Sequence, residues 1–435
     1  MKNRKHSARA GKQRVTAETL MGRPAEVRSV REPSRLEGVF RDSLPSFGGG
    51  YLRRFYDALD RAIGAGIPLM VAVAGPITVS NQHRAWLNDL LNTGWVGYIS
   101  VTDAICYHDG HDSLRKFRER PIHEVAISGR DREYGAHGVI RVTDLGFKEQ
   151  ILFDQDRFFT TLFRQPELQR KMTGTEFRNI VGKYYAAQES EFDVAPGLLS
   201  ACWRNAIPVF VGAPGDGSAF LNSVKLWALA QAGLIEHKFE IDIHKEVFES
   251  CAYHYWGLRS SRARKLAVLI LGGGVPKNFI LQPEPTLSQI FLLPAISGYS
   301  FDVQIVGAQV TDGSLSSCHA EEAHTWGKVE AAALDSNVAS INGADYSMLM
   351  PFVSRALLEK REFFERLIEQ IGPRKLFARH PEARGYLRQE GQLRLFDQRD
   401  ELMQTLLSRV TQPAHARRLM ETWDFPLQLL NRTAV

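Results

Sequence analysis

The residues best suited to covalent chemistry lie between Thr311 and Lys328. Thr311-Asp312-Gly313-Ser314 leads to Glu321-Glu322-Ala323-His324-Thr325-Trp326-Gly327-Lys328. Apolar walls disfavour a charged lysine, lower its pKa and leave a free amine able to form a Schiff base. Carboxylates beside an indole also suit a cationic amine, because acids pair with ammonium groups and the ring face attracts them. A surface ion pair beside a structural tryptophan fits the same residues. Two glycine-bearing loops add to the set. Leu271 runs into Gly272-Gly273-Gly274-Val275-Pro276-Lys277-Asn278; the missing side chains admit a ligand to the backbone, or make a tight turn. Val211 runs into Gly212-Ala213-Pro214-Gly215-Asp216-Gly217-Ser218. Its carboxylate could fork onto ribose hydroxyls, and the same residues also build ordinary turns. Tyr107-His108-Asp109-Gly110-His111-Asp112 holds two histidines and two acids. No third-ligand cluster accompanies them and Gly110 weakens any helix that would align them, so no metal is expected.

These loops need strands to end where they begin. Short apolar runs occur at Leu69 to Ala74, Gly97 to Val101, Ile207 to Val211, Ala267 to Leu271 and Val303 to Val306. Each is closed by small or turn-forming residues, as buried parallel strands are. The intervals hold crossover helices, as at His83 to Asn92 and Ala219 to Ala232, and Tyr51 to Ile63 reads as an amphipathic helix ahead of the first strand. The fold class is therefore α/β, a doubly wound, Rossmann-like parallel sheet with helical N- and C-terminal extensions. Its domains are a basic arm over 1–45, a catalytic domain over 46–351 and a helical appendage over 352–435.

Hydrophobic residues at 44% and charged residues at 24% exclude a wholly disordered or disulfide-scaffold chain. The apolar runs are too short to span a bilayer and no apolar leader follows the first methionine, so neither secretion nor membrane insertion is expected. Four cysteines without a CxxC pair point to a reducing cytoplasm. Residues 1–36 carry ten bases and three acids against a net +5 for the whole chain, so the body is slightly acidic. A solvated terminus is the reading of that arm, and the body has no electrostatic footprint for nucleic acid.

In order, these motifs resemble the deoxyhypusine synthase family, in its bacterial deoxyhypusine synthase-like and homospermidine synthase-like branch. Leu-Gly-Gly-Gly-Val-Pro-Lys-Asn-Phe at 271–279 is similar to the family's strand-end loop, and Glu322-Ala323-His324-Thr325-Trp326-Gly327-Lys328 to its E-A-x-S-W-G-K segment. Asp312-Gly313-Ser314, Asp345-x-Ser347 before Pro351, Gly138 to Arg141 and Leu395-Phe396-Asp397 extend the likeness over roughly 46–410. The resemblance implies an NAD-dependent transferase in which a secondary amine of spermidine loses hydride. Lysine captures the imine as a diamine leaves, and an aminobutyl group passes to an acceptor amine such as putrescine. Lys328 is the implied nucleophile, with Glu322, Trp326, Asn278 and Asp312 on the amine. Ser80, Thr102, Asp109, Asp216, Ser218, Gly313, Asp345 and Ser347 are implied along NAD. A homotetramer is implied as well.

Asn278 stands where eukaryotic relatives carry a histidine base, which points to the bacterial branch. Asp103 replaces a glycine of the T-G-A-N-like segment Thr102 to Ile105, where a carboxylate would repel a pyrophosphate. Pro76 and Asn81 replace glycines, and Phe220 a small residue. The expected activity is aminobutyl transfer of the homospermidine synthase type. Deoxyhypusine synthesis on a translation-factor lysine, or a silent NAD- or polyamine-binding homologue, stands behind it.

Overall fold

The computed structural model describes residues 26–75, 77–113, 122–127, 129–388 and 393–421. The first 25 residues of the basic arm and Pro76 lie outside these. The apolar runs form strands β1 (Leu69–Val73), β2 (Val96–Val101), β3 (Val209–Val211), β4 (Ala267–Leu271) and β5 (Phe301–Val306), joined by β6 (Val338–Asn342). All are parallel, in the order β3-β2-β1-β4-β5-β6. This is the dinucleotide-fold order, whose direction of growth reverses between β1 and β4 and opens a crevice at their carboxyl ends. Side chains alternate across the sheet. Leu69, Val71 and Val73 enter one core, Met70 and Ala72 the other, so the runs are apolar throughout.

Helices α1 (Phe47–Gly64), α2 (Asp103–Ser113), α3 (Gln150–Leu162), α4 (Gly174–Phe192), α5 (Leu198–Arg204), α6 (Ser218–Gln231), α7 (Ile243–Arg259), α8 (Gly274–Leu281), α9 (Ala320–Thr325), α10 (Tyr346–Ile371) and α11 (Arg399–Val410) surround the sheet. Phe55, Phe159, Phe177 and Leu357 from α1, α3, α4 and α10 fill one face; Tyr253 and Ile280 from α7 and α8 fill the other. The helix expected after Pro351 begins at Tyr346. A three-stranded antiparallel sheet (His123–Glu124, Val139–Val142, Leu145–Lys148) and a parallel pair (Lys171–Met172 with Glu240–Ile241) lack any expectation from the sequence. Their strands are two to four residues long and mostly surface-accessible, too short for an apolar run to mark them.

Two boundaries differ from the expectation. Packing begins upstream of residue 46, because Phe40 stacks on Tyr56 at 4.9 Å and buried Glu37 accepts from Lys360 Nζ at 3.2 Å. Lys360 also donates to Asp60 (2.6 Å), which in turn accepts from Arg41 (2.6 Å) and Tyr386. Beyond residue 352, Val353, Phe364, Leu376 and Tyr386 join the core of the sheet itself, so this part of the chain is integral to the domain.

Candidate active site

The loop after β4 turns through Gly272 (φ +86°) and Gly274 (φ +59°), a left-handed path that side chains disfavour. Gly273 lies against Ser316, whose Oγ accepts from the Gly274 N–H at 2.9 Å, and a Cβ at 273 would overlap that serine. A Cβ at Gly274 would meet nothing within 4 Å, so the N-terminus of α8 is open at the switch point. Beyond β5 and β6, Asp312 and Asp345 each accept the amide two residues on, Ser314 and Ser347, at 2.7 Å, and both carboxylates stay exposed. Beyond β3, Asp216 and Ser218 flank a pocket of about 190 Å³ with Thr102 and Asp103. Ser80 follows β1, its hydroxyl donating to Ile77 O at 3.0 Å. A dinucleotide fits this edge: exposed carboxylates suit ribose hydroxyls, and the α8 N-terminus suits a phosphate.

Asp103 takes a different place from the one its sequence position suggests. It is buried, and its Oδ2 accepts the Ala219 N–H at 2.8 Å, so its carboxylate occupies the N-terminus of α6 as an internal anion. A Cβ at Gly217 would overlap it, which explains the glycine there. Burial pushes its pKa up to about 6, against the pull of the Ala219 amide and Arg178. The folded-state pKa stands above the unfolded one, so charging Asp103 costs stability as pH rises from about 4 through about 6. Asp103→Asn removes that cost. The stability deficit of the variant relative to the parent, from Tm measured across this window, is expected to shrink as pH rises; a constant deficit would contradict the assignment.

Asp109, implied along the cofactor, lies elsewhere. It is buried and accepts the amides of Leu198 (2.7 Å) and Leu199 (2.8 Å), capping α5, with His83 Nε2 at 3.4 Å. Burial raises its pKa to about 6. The helix that Gly110 was expected to weaken does form, since a Cβ at 110 would overlap Gln155 and Tyr185 and only glycine fits. It sets His108 Nδ1 3.0 Å from His111 Nε2, and burial lowers their pKa values to about 4 and about 3. Among the described residues no group of three His, Cys, Asp or Glu could hold a metal.

Lys328 stands at the other end of β5. Its carbonyl accepts the Tyr299 N–H at 2.9 Å and Val329 pairs with Tyr299, so its backbone lies beside the amino end of that strand. Its ammonium is 5.7 Å from the Trp326 ring centre, and Trp326 is 61% exposed. Glu284 faces Lys328 electrostatically; burial raises its pKa, and its Oε2 is buried without a hydrogen bond among the described residues. Cys318 Sγ donates to His319 O at 3.5 Å, and burial together with the charge of exposed Glu322 raises the thiol pKa. Asn278 is exposed on α8 and accepts from Gln282 at 2.7 Å. Under this cluster Lys277 is buried and donates to Gln304 (2.8 Å) and to the carbonyls of Ser316 and Cys318. Burial lowers the Lys277 pKa and raises that of buried Asp302 to about 7. Sequence reasoning missed Glu284, Lys277 and Asp302. A lone acid inside the strand Phe301-Asp302-Val303 and another between Pro283 and Pro285 were the available signals.

The structure thus brings Lys328, Trp326 and Glu284 together, and separately gathers Asp216, Ser218, Asp312 and Asp345 along the carboxyl edge. The six residues of β5 lie between the Lys328 backbone and Asp312, about 20 Å of strand.

The model of the deoxyhypusine synthase family matches residues 41–357. The chain is 28% identical over 319 residues, 72% of its own length and 77% of the relative's, to a deoxyhypusine synthase-like protein of Nostoc punctiforme. It is 26% identical over 292 residues, 67% of its length and 77% of the relative's, to a probable deoxyhypusine synthase 2 of Methanosarcina mazei. A solved structure of a putative deoxyhypusine synthase from Entamoeba histolytica covers 76% of this chain and 95% of its own at 10% identity and a TM-score of 0.45. With a family match spanning most of the sheet, both glycine loops and the Lys328 segment, the chain belongs to the deoxyhypusine synthase family.

Proposed function

We propose that this chain is an NAD-dependent aminoalkyl transferase that moves an aminobutyl group from a polyamine such as spermidine to an acceptor amine such as putrescine, by way of an imine on Lys328. Family membership supports the aminobutyl-transferase type. The observation that carries the finer reading is Lys328 beside the exposed face of Trp326 and the buried carboxyl of Glu284. An ammonium end of the donor would rest on the indole face and pair with Glu322. Glu284, with its pKa raised by burial, suits uptake of the proton that Lys328 must lose before it attacks. The chemistry that NAD supplies when bound is removal and later return of a hydride at the carbon beside the secondary nitrogen. Asp216, Ser218, Gly313, Asp345 and Ser347, with Ser80 and Thr102, would hold it. The separation of the two groups along β5 supports a homo-oligomer, a tetramer by family resemblance, in which a second copy completes the site.

Deoxyhypusine formation on a translation-factor lysine is the second reading, favoured by the names of the relatives. Mass spectrometry of products from NAD, spermidine and putrescine in the presence of a translation factor bearing the acceptor lysine separates the two. Homospermidine with released diaminopropane is expected. An aminobutylated protein lysine as sole product would replace the first reading with the second, and no product from any polyamine would remove both.

A further inference from the structure

A cleft of about 940 Å³ opens at the amino end of the sheet, where Pro68 precedes β1, Asn337 precedes β6 and Phe301 begins β5. Arg61, Arg262, Arg384 and Arg388 line it, against the acids Asp60 and Glu382. The acids only partly offset them: Asp60 is paired with other cations, which leaves one carboxylate, Glu382, against four guanidinium groups. Asp60 is occupied by Lys360, Arg41 and Tyr386, and Glu382 lies 3.4 Å from His380. Among the described residues none of the four arginines forms an ion pair. Arg61 donates to Ser336 O and Asn337 Oδ1, Arg388 to the carbonyls of Gly66 (2.6 Å) and Gly94 (3.5 Å), and Arg384 lies over Phe377. Arg388 is half-buried beside Arg262, and burial together with that like charge lowers its pKa. Two guanidinium groups lining a partly desolvated cleft, with no ion-pair partner among the described residues, favour an anion there.

We propose that this cleft binds a phosphate-bearing small molecule, its phosphates forked by Arg262, Arg384 and Arg388 and its remainder against Trp256. Guanidinium geometry matches phosphate oxygens in pairs, and the volume falls in the range of small-molecule sites. The site is at the opposite end of the strands from the carboxyl-edge loops and does not depend on the transferase reading.

Calorimetry of the full chain with tripolyphosphate, ATP and inorganic phosphate at one ionic strength tests it. Tripolyphosphate and ATP are expected to bind. The Arg262→Gln, Arg384→Gln double variant is expected to lose at least about tenfold in affinity, the worth of one charge-assisted hydrogen bond. Both side chains are exposed, so circular dichroism should report an intact fold. Asp345→Ala, at the other edge, should bind as the parent does. ATP binding more tightly than tripolyphosphate identifies a nucleotide as the ligand; equal binding identifies the polyphosphate group alone. Absence of binding by both, unchanged affinity in the double variant, or loss of binding in Asp345→Ala would overturn the proposal.

Discussion

Lys328→Arg is expected to lose about a thousandfold or more in turnover while amine affinity changes little, because covalent catalysis fails when its nucleophile is removed and a cation still sits beside Trp326. A guanidinium stays protonated and does not attack an imine carbon. Borohydride added during turnover should fix the aminobutyl group on Lys328 of the parent, as a mass increment on the peptide that spans it, and nothing on the variant. Should the variant turn over normally, or the increment appear on another lysine, Lys328 is not the nucleophile.

Lys360→Met is expected to destabilise the fold by about 3 to 5 kcal/mol, the cost of leaving buried carboxylates without their partner. Lys360 Nζ donates to Asp60 Oδ1 at 2.6 Å and Glu37 Oε1 at 3.2 Å, and all three side chains are buried. Arg41 remains as the counter-charge, pairing with both acids from a half-exposed position. Urea denaturation should show a lower midpoint with an unchanged slope. A loss below about 1 kcal/mol would mean that Arg41 alone neutralises the pair.

The central strands were legible because burial on both faces makes them apolar at every position, as in Leu69-Met70-Val71-Ala72-Val73. β6 escaped the same reading because it is an edge strand, with Ser340 and Asn342 facing partners such as Gln304 and Ala308 O. Helix α2 escaped because its polar residues are buried in pairs with distant parts of the chain, Asp109 with α5 and Asp103 with α6. Such long-range satisfaction leaves no periodicity to read. For the same reason the candidate site was legible as motifs and not as a place. The segments around Asp312 and Lys328 are close in sequence, yet residues 313–327, a 3-10 turn followed by the short helix α9, carry the chain from one end of β5 to the other.

The strand order also governs how the chain can fold as it is made. β1 pairs with β2 at once on one side, but on the other its Leu69 waits for Ala267, about 200 residues later. At common rates of translation that interval is roughly 10 to 40 s. Through it the nascent chain carries an open apolar strand edge, a template on which neighbouring chains on the same messenger can pair. The central junction of the sheet, where the finished protein has its crevice, therefore forms only when the second half of the chain arrives, and the inner edge of β1 has to be shielded until β4 emerges from the ribosome.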